Sequence, residues 1–235
     1  MSGIQKKNFL WVMVMALAIV LPAACVKSPE RSEQASKHPE VIKAVETEKL
    51  DESRQKAEDY HIGQVRMNPH PASLEGKTVV LRWNGKFNGD ILLNNLAGLL
   101  SENMKGVKVV KMWEEEPSTA MTSYNQHNTE LFSEKIAALK PDLVIASSAD
   151  GDRCSAWLTI DQLNLEKKGI PTVTITTTVF ESAISSVMKE QGISGMAVVA
   201  VEHPIAGRNA EDTRKLAEGM LAEVLEAAMK WQPSR

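Results

Sequence analysis

A single thiol stands where a β-type run gives way to a helical pattern. In Asp142–Trp157 (DLVIASSADGDRCSAW) the apolar run Leu143–Ala146 passes into small and polar residues, and helical spacing begins at Arg153. Cys154 lies just inside that start, where free backbone N–H groups and the positive end of the helix dipole favour a thiolate. Arg153 adds to that bias and Asp152 opposes it. A thiolate there is a candidate nucleophile for mixed disulfides or covalent adducts. A second loop, Asn84-Gly85-Lys86-Phe87-Asn88-Gly89-Asp90, joins two glycines and a lysine to a helix start. Backbone amides and a lysine so arranged can hold a carboxylate or phosphate, although the pattern is not a Walker loop. His203 and Thr177 close later strands, and His203 is the best-placed general base. Plainer readings compete at each position: a buried inert thiol, a tight turn capped by Asn88 or Asp90, an N-cap at Asp152, a histidine that leads into Pro204.

These groups need a scaffold that gathers strand ends. From Lys77 onward, short β-rich runs alternate with amphipathic helical spacing. The strands are Thr78–Trp83, Val107–Trp113, Leu143–Ser147, Thr172–Thr177 and Met196–Val201. Helical patterns follow them around Leu92–Leu100, Leu131–Leu139, Cys154–Leu163, Ile184–Val187 and Leu216–Ala228, the last with Asn209 and Asp212 placed as a capping pair. Alternation of this kind implies an α/β fold, a flavodoxin-like or Rossmann-like parallel sheet of about five strands with helices on both faces. The expected strand order, 2-1-3-4-5, puts the first and third strands side by side and their loops at one crevice.

The N-terminal part reads differently. Lys6 and Lys7 precede an apolar run, Phe9–Leu21, and the small-residue segment Pro22-Ala23-Ala24-Cys25. That is the layout of a signal peptide, too short for a comfortable membrane span. Cys25 directly after Ala24 resembles a bacterial lipobox, with Pro22 where a leucine is usual. The expected organisation is a signal peptide over 1–24, a lipidated Cys25, a polar tether over 25–73 with an exposed helix near Glu40–Asp59, and an α/β domain over 74–235. The expected location is the bacterial cell envelope, as an exported lipoprotein anchored to the membrane by its lipid. Cleavage before Cys25 deletes two lysines and takes the net charge from −3 to −5. With Cys25 lipidated, Cys154 has no thiol partner within the chain, in a compartment where thiols usually pair.

Composition excludes other classes. Hydrophobic content of 43% and charged content of 24% support a sizeable core, and no Lys/Arg stripe with interleaved aromatics points to nucleic acid. The five histidines (His38, His61, His70, His127 and His203) show no metal-ligand spacing, and there is no GxGxxG or GxSxG. No metal and no cofactor are expected.

In these residues the chain resembles the UGSC family, named for a selenocysteine-Gly-Ser-Cys motif. Leu74, Gly76, Lys77 and Thr78, then Asn84, Gly85, Lys86 and Asn88, match the family's first strand and turn. Cys154, Ser155, Ala156 and Trp157 match its central motif, and Glu166, Lys167, Gly169, Ile170, Pro171 and the His203-Pro204 step also fit. The strand–helix–Gly-Ile-Pro portion is similar, more distantly, to the selenoprotein B component of glycine reductase. The resemblance implies thiol or selenol redox chemistry. This chain departs from it at Gly151, where the family has selenocysteine or cysteine, and at Asp152-Arg153 in place of Gly-Ser. A two-centre redox couple is thereby lost.

Two readings of function follow. In the first, Cys154 is the nucleophile on a small anionic molecule or a thiol partner, Asn84, Gly85, Lys86, Asn88, Arg153 and Thr177 line the ligand site, and His203 manages protons. In the second, the chain is a non-catalytic ligand-binding or scaffold lipoprotein. The sequence leaves a homo-oligomer open.

Overall fold

A computed structural model describes residues 56, 57 and 59–233. Residues 1–24, Cys25 and most of the expected tether and its helix lie outside the described residues.

Five strands form one parallel sheet: β1 (Thr78–Trp83), β2 (Lys108–Lys111), β3 (Leu143–Ser147), β4 (Thr172–Thr177) and β5 (Ala197–Val201), in the order β2-β1-β3-β4-β5. The helices are α1 (Gly89–Asn103), the single turn α2 (Met112–Glu115), α3 (Gln126–Ala138), α4 (Asp152–Lys167), α5 (Glu181–Glu190) and α6 (Ala210–Lys230). Fold class and strand order are as the sequence predicts. The second strand is shorter than expected: Met112 and Trp113 belong to α2, and Trp113 meets Trp83 edge-on instead of extending the sheet.

Pleating divides β1 between two cores. Val79 and Leu81 face α1 and α6 and pack with Leu143, Ile145, Leu92, Leu96 and Val224. Val80 packs on the other face with Val144, Ile136 and Leu165. Arg82 points to that second face as well and is fully buried there. Asn209 caps α6 by accepting the Asp212 N–H at 2.9 Å, as its position in the sequence suggests.

Helix α4 is buried along its length from Cys154 to Glu166. Part of the segment expected as a polar tether accounts for its outer side: Ala57, Ile62 and Met67 pack with Trp157, Ile160 and Leu163 of α4 and Ile184 and Val187 of α5. His70 fastens the same segment to α6, its Nδ1 2.7 Å from the Ala227 carbonyl oxygen and its ring against Trp231. A helix surrounded on all sides carries no clean apolar stripe. Polar residues on it find distant partners instead: Gln162 Nε2 donates to the Val173 carbonyl and Asn164 Nδ2 to Thr129 Oγ1.

Candidate functional site

Register sets the site. Trp83 pairs with Ser147 across β1 and β3, so the next residues, Asn84 and Ser148, are neighbours, and Asn84 Nδ2 donates to the Ser148 carbonyl at 3.1 Å. Ser147 pairs with Ile175, which brings Ser148 Oγ within 3.1 Å of Thr176 Oγ1; Ser155 Oγ of α4 continues the chain to Ser148 at 3.1 Å. Thr177 pairs with Val201, and so His203 emerges just past it. The predicted loops do converge at the carboxyl edge.

Cys154 occupies the third position of α4, and side chains there lean back toward the helix N-terminus. The N-cap is Gly151, with φ +146°, and Asp152 is the first helical residue instead of the cap. A Cβ placed on Gly151 would lie 3.2 Å from Cys154 Sγ, so glycine here leaves that flank of the sulfur clear. The thiol is free, and only 4% of Cys154 is exposed.

Two side chains meet the sulfur. Tyr124 Oη lies 3.6 Å from Sγ. Lys86, half-buried, lies beside both; burial alone would lower its ammonium pKa, but its interactions with Cys154 and Tyr124 outweigh that and raise it. The Arg153 guanidinium stacks 4.6 Å over the Tyr124 ring, and its buried Nε has no partner among the described residues. Two cations, Lys86 and Arg153, thus stand beside a sulfur and a phenol.

Tyr124 is delivered by a loop anchored in the core. Arg82 donates to the carbonyl oxygens of Thr119 at 2.7 Å and Met121 at 2.9 Å, and also to the Trp83 carbonyl. Its guanidinium lies 5.1 Å over the Phe132 ring and pairs with Asp161 of α4 at 3.2 Å. Burial pushes the Asp161 carboxyl up, and Arg82 together with the Thr129 and Ser123 hydroxyls pulls it back. Gly85, with φ +81°, lets the Lys86 loop press against this segment: a Cβ there would come within 2.6 Å of the Ala120 carbonyl oxygen.

A second cluster lies beside the first. Asp150 Oδ1 is 3.1 Å from His203 Nδ1, and its carboxylate accepts the backbone N–H groups of Ile205 and Ala206. Thr177 Oγ1 is 3.2 Å from the same ring nitrogen, and Phe180 meets the imidazole edge-on. With Nδ1 donating to Asp150, Nε2 is the nitrogen left to accept a proton.

The predicted residues therefore divide by role. Lys86, Arg153 and Cys154 come together, whereas His203 and Thr177 form the neighbouring cluster with Asp150. Asn84 and Asn88 act first as ties. Asn88, at φ +63°, donates to the carbonyl oxygens of Ile205 at 3.0 Å and Arg208 at 2.8 Å, and no side-chain cap comes from it or from Asp90. Thr177 is fully buried behind His203. Tyr124 and Asp150 are the additions that sequence reasoning missed. Asp150 was within reach, being an acid in the turn before Cys154 at the sheet edge that also carries His203. Tyr124 had no such signal, because it sits in an irregular loop at φ +56°.

Among the described residues no group of three His, Cys, Asp or Glu side chains could hold a metal ion. Open clefts of about 430 Å³ along β5 and α6 and about 520 Å³ beside Tyr60 are not lined by Cys154. The site is a covered sulfur at a strand-edge crevice. No curated protein matches the sequence. The UGSC family model matches residues 41–230, and with most of its length so matched the chain belongs to the UGSC family.

Proposed function

We propose that the chain is an exported, lipid-anchored UGSC-family protein that performs thiol-dependent chemistry at Cys154 on a small anionic substrate. The observation that carries this reading is the Tyr124 Oη–Cys154 Sγ contact at 3.6 Å, with the Arg153 guanidinium over the Tyr124 ring and Lys86 beside it. In the simplest step the Cys154 thiolate attacks a substrate disulfide. One S–S bond forms as the other breaks, and the leaving thiolate carries away the electron pair. Lys86 balances negative charge on sulfur before attack, Arg153 offers a cation to the substrate anion, and the Asp150–His203 pair manages protons at Nε2. With glycine at 151 the mixed disulfide waits for a second, external thiol.

The test is mass spectrometry of native protein carrying Cys25→Ser after exposure to glutathione disulfide. One adduct on Cys154, slowed by Lys86→Met, is expected. An adduct that forms only in denaturant overturns the reading. The lipid anchor is tested by labelled-palmitate incorporation, lost on Cys25→Ser.

A second reading, ligand binding without chemistry, is favoured by the low exposure of Cys154. It requires Cys154→Ser to retain the ligand.

A further inference from the structure

Among the described residues the large apolar side chains that stand exposed are Phe87 at 84%, Val179 at 56% and Met121 at 44%. Scattered apolar residues on a surface need no explanation. These are not scattered: they stand on loops that follow β1, β4 and β2, all at the carboxyl edge of the sheet. Phe87 adjoins Lys86, and the Gly85 backbone packs so closely on Met121 that a Cβ would lie 2.9 Å from the Met121 Cα. Val179 adjoins Phe180, whose ring is 5.5 Å from the His203 imidazole. Exposed apolar side chains thus stand beside both clusters, the one with the sulfur and two cations and the one with the histidine. One acceptor at the same sheet edge is also unsatisfied: Asn84 Oδ1, next to the Lys86 loop, is buried with no partner among the described residues.

We propose that Phe87, Met121 and Val179 form an apolar subsite, and that the substrate of the Cys154 centre is a small amphiphile. Its hydrocarbon or aromatic body lies against the rim and its polar, reactive end reaches Cys154, Lys86 and Asn84. This rests on the thiol reading above. A protein partner would be served by an apolar patch alone; a polar, nucleophilic floor ringed by apolar groups is the polarity gradient of an amphiphile site.

The experiment compares methyl and octyl methanethiosulfonate on full mature protein carrying Cys25→Ser, each rate divided by that on free glutathione. The octyl-to-methyl ratio is expected to be about tenfold, the gain from burying about two methylenes. That ratio should fall to about one in Phe87→Ser and in Val179→Ser. A ratio of one in the unsubstituted rim, with rapid iodoacetamide labelling, overturns the subsite and leaves the thiol reading standing. Absence of labelling by every reagent in the native state overturns both. A dimer that Phe87→Ser dissociates, seen by sedimentation, assigns the rim to a second copy and overturns the amphiphile.

Discussion

Arg82 Nη2 lies 3.2 Å from Asp161 Oδ2, and neither side chain reaches solvent. The pair joins the carboxyl end of β1 to the middle of α4 and at the same time holds the loop that brings Tyr124 to the thiol. Removing one partner of a buried pair leaves the other charge uncompensated, at a cost of about 3–5 kcal/mol. Arg82→Met is expected to lower stability to chemical denaturation by that amount. A loss under about 1 kcal/mol would mean that the surrounding carbonyls and hydroxyls suffice without the pair.

Gly85→Ala tests the close approach of the two loops. The substitution forces a side chain into φ +81° and against the Ala120 carbonyl oxygen. The expected loss is about 1–3 kcal/mol, with altered Cys154 labelling because Lys86 moves with its neighbour. Unchanged unfolding midpoint and labelling would refute the contact.

Lys86→Met removes the cation from the sulfur. Iodoacetamide labelling of native protein at neutral pH should slow about tenfold, the equivalent of about 1.4 kcal/mol. An unchanged rate would show that Lys86 does not act on the thiol.

Asp150→Asn addresses the histidine. Neutral His203 is expected to carry its proton on Nδ1, facing Asp150, and nitrogen NMR chemical shifts read this tautomer directly. In the variant the proton should move to Nε2. The same tautomer in both proteins would leave Asp150 without a positioning role.

His70 should make stability pH-dependent. Burial lowers its pKa below the ordinary 6.5, against the pull of its Ala227 hydrogen bond. The unfolded chain then binds the proton more readily than the folded one, so stability is full above pH 6.5 and falls as the pH drops toward the lower folded value. His70→Gln should flatten that part of the stability-against-pH curve. An unaltered slope assigns the acid sensitivity elsewhere.

How far the sequence speaks is visible residue by residue. Val79–Leu81 and Leu143–Ile145 announce buried parallel strands because both faces of such a strand must be apolar. Strand order then follows from alternation, and with it the meeting of the Lys86 and Cys154 loops. Helix α4 is harder to read, since Thr159, Asp161, Gln162 and Asn164 look like a solvated face and are buried. Their partners, Arg82 and Thr129 among them, are far away in sequence, and periodicity carries no record of distant partners. Tyr124 is hidden for the same reason: its place depends on Arg82, dozens of residues earlier.

The ties among the three edge loops have a kinetic consequence. Asn84 binds the β1 loop to the β3 loop, Asp150 binds the β3 loop to the β5 loop, and Asn88 closes the triangle from β1 to β5. A triangle braced on each side does not hinge, and the segment carrying Tyr124 is pinned by Arg82. Uncovering Cys154 is then left to side-chain rotation of Lys86 and Tyr124 instead of the slower backbone motion of a lid. Encounter with the thiol is gated by rotamers, and a reagent small enough to pass them meets the sulfur without waiting for the backbone.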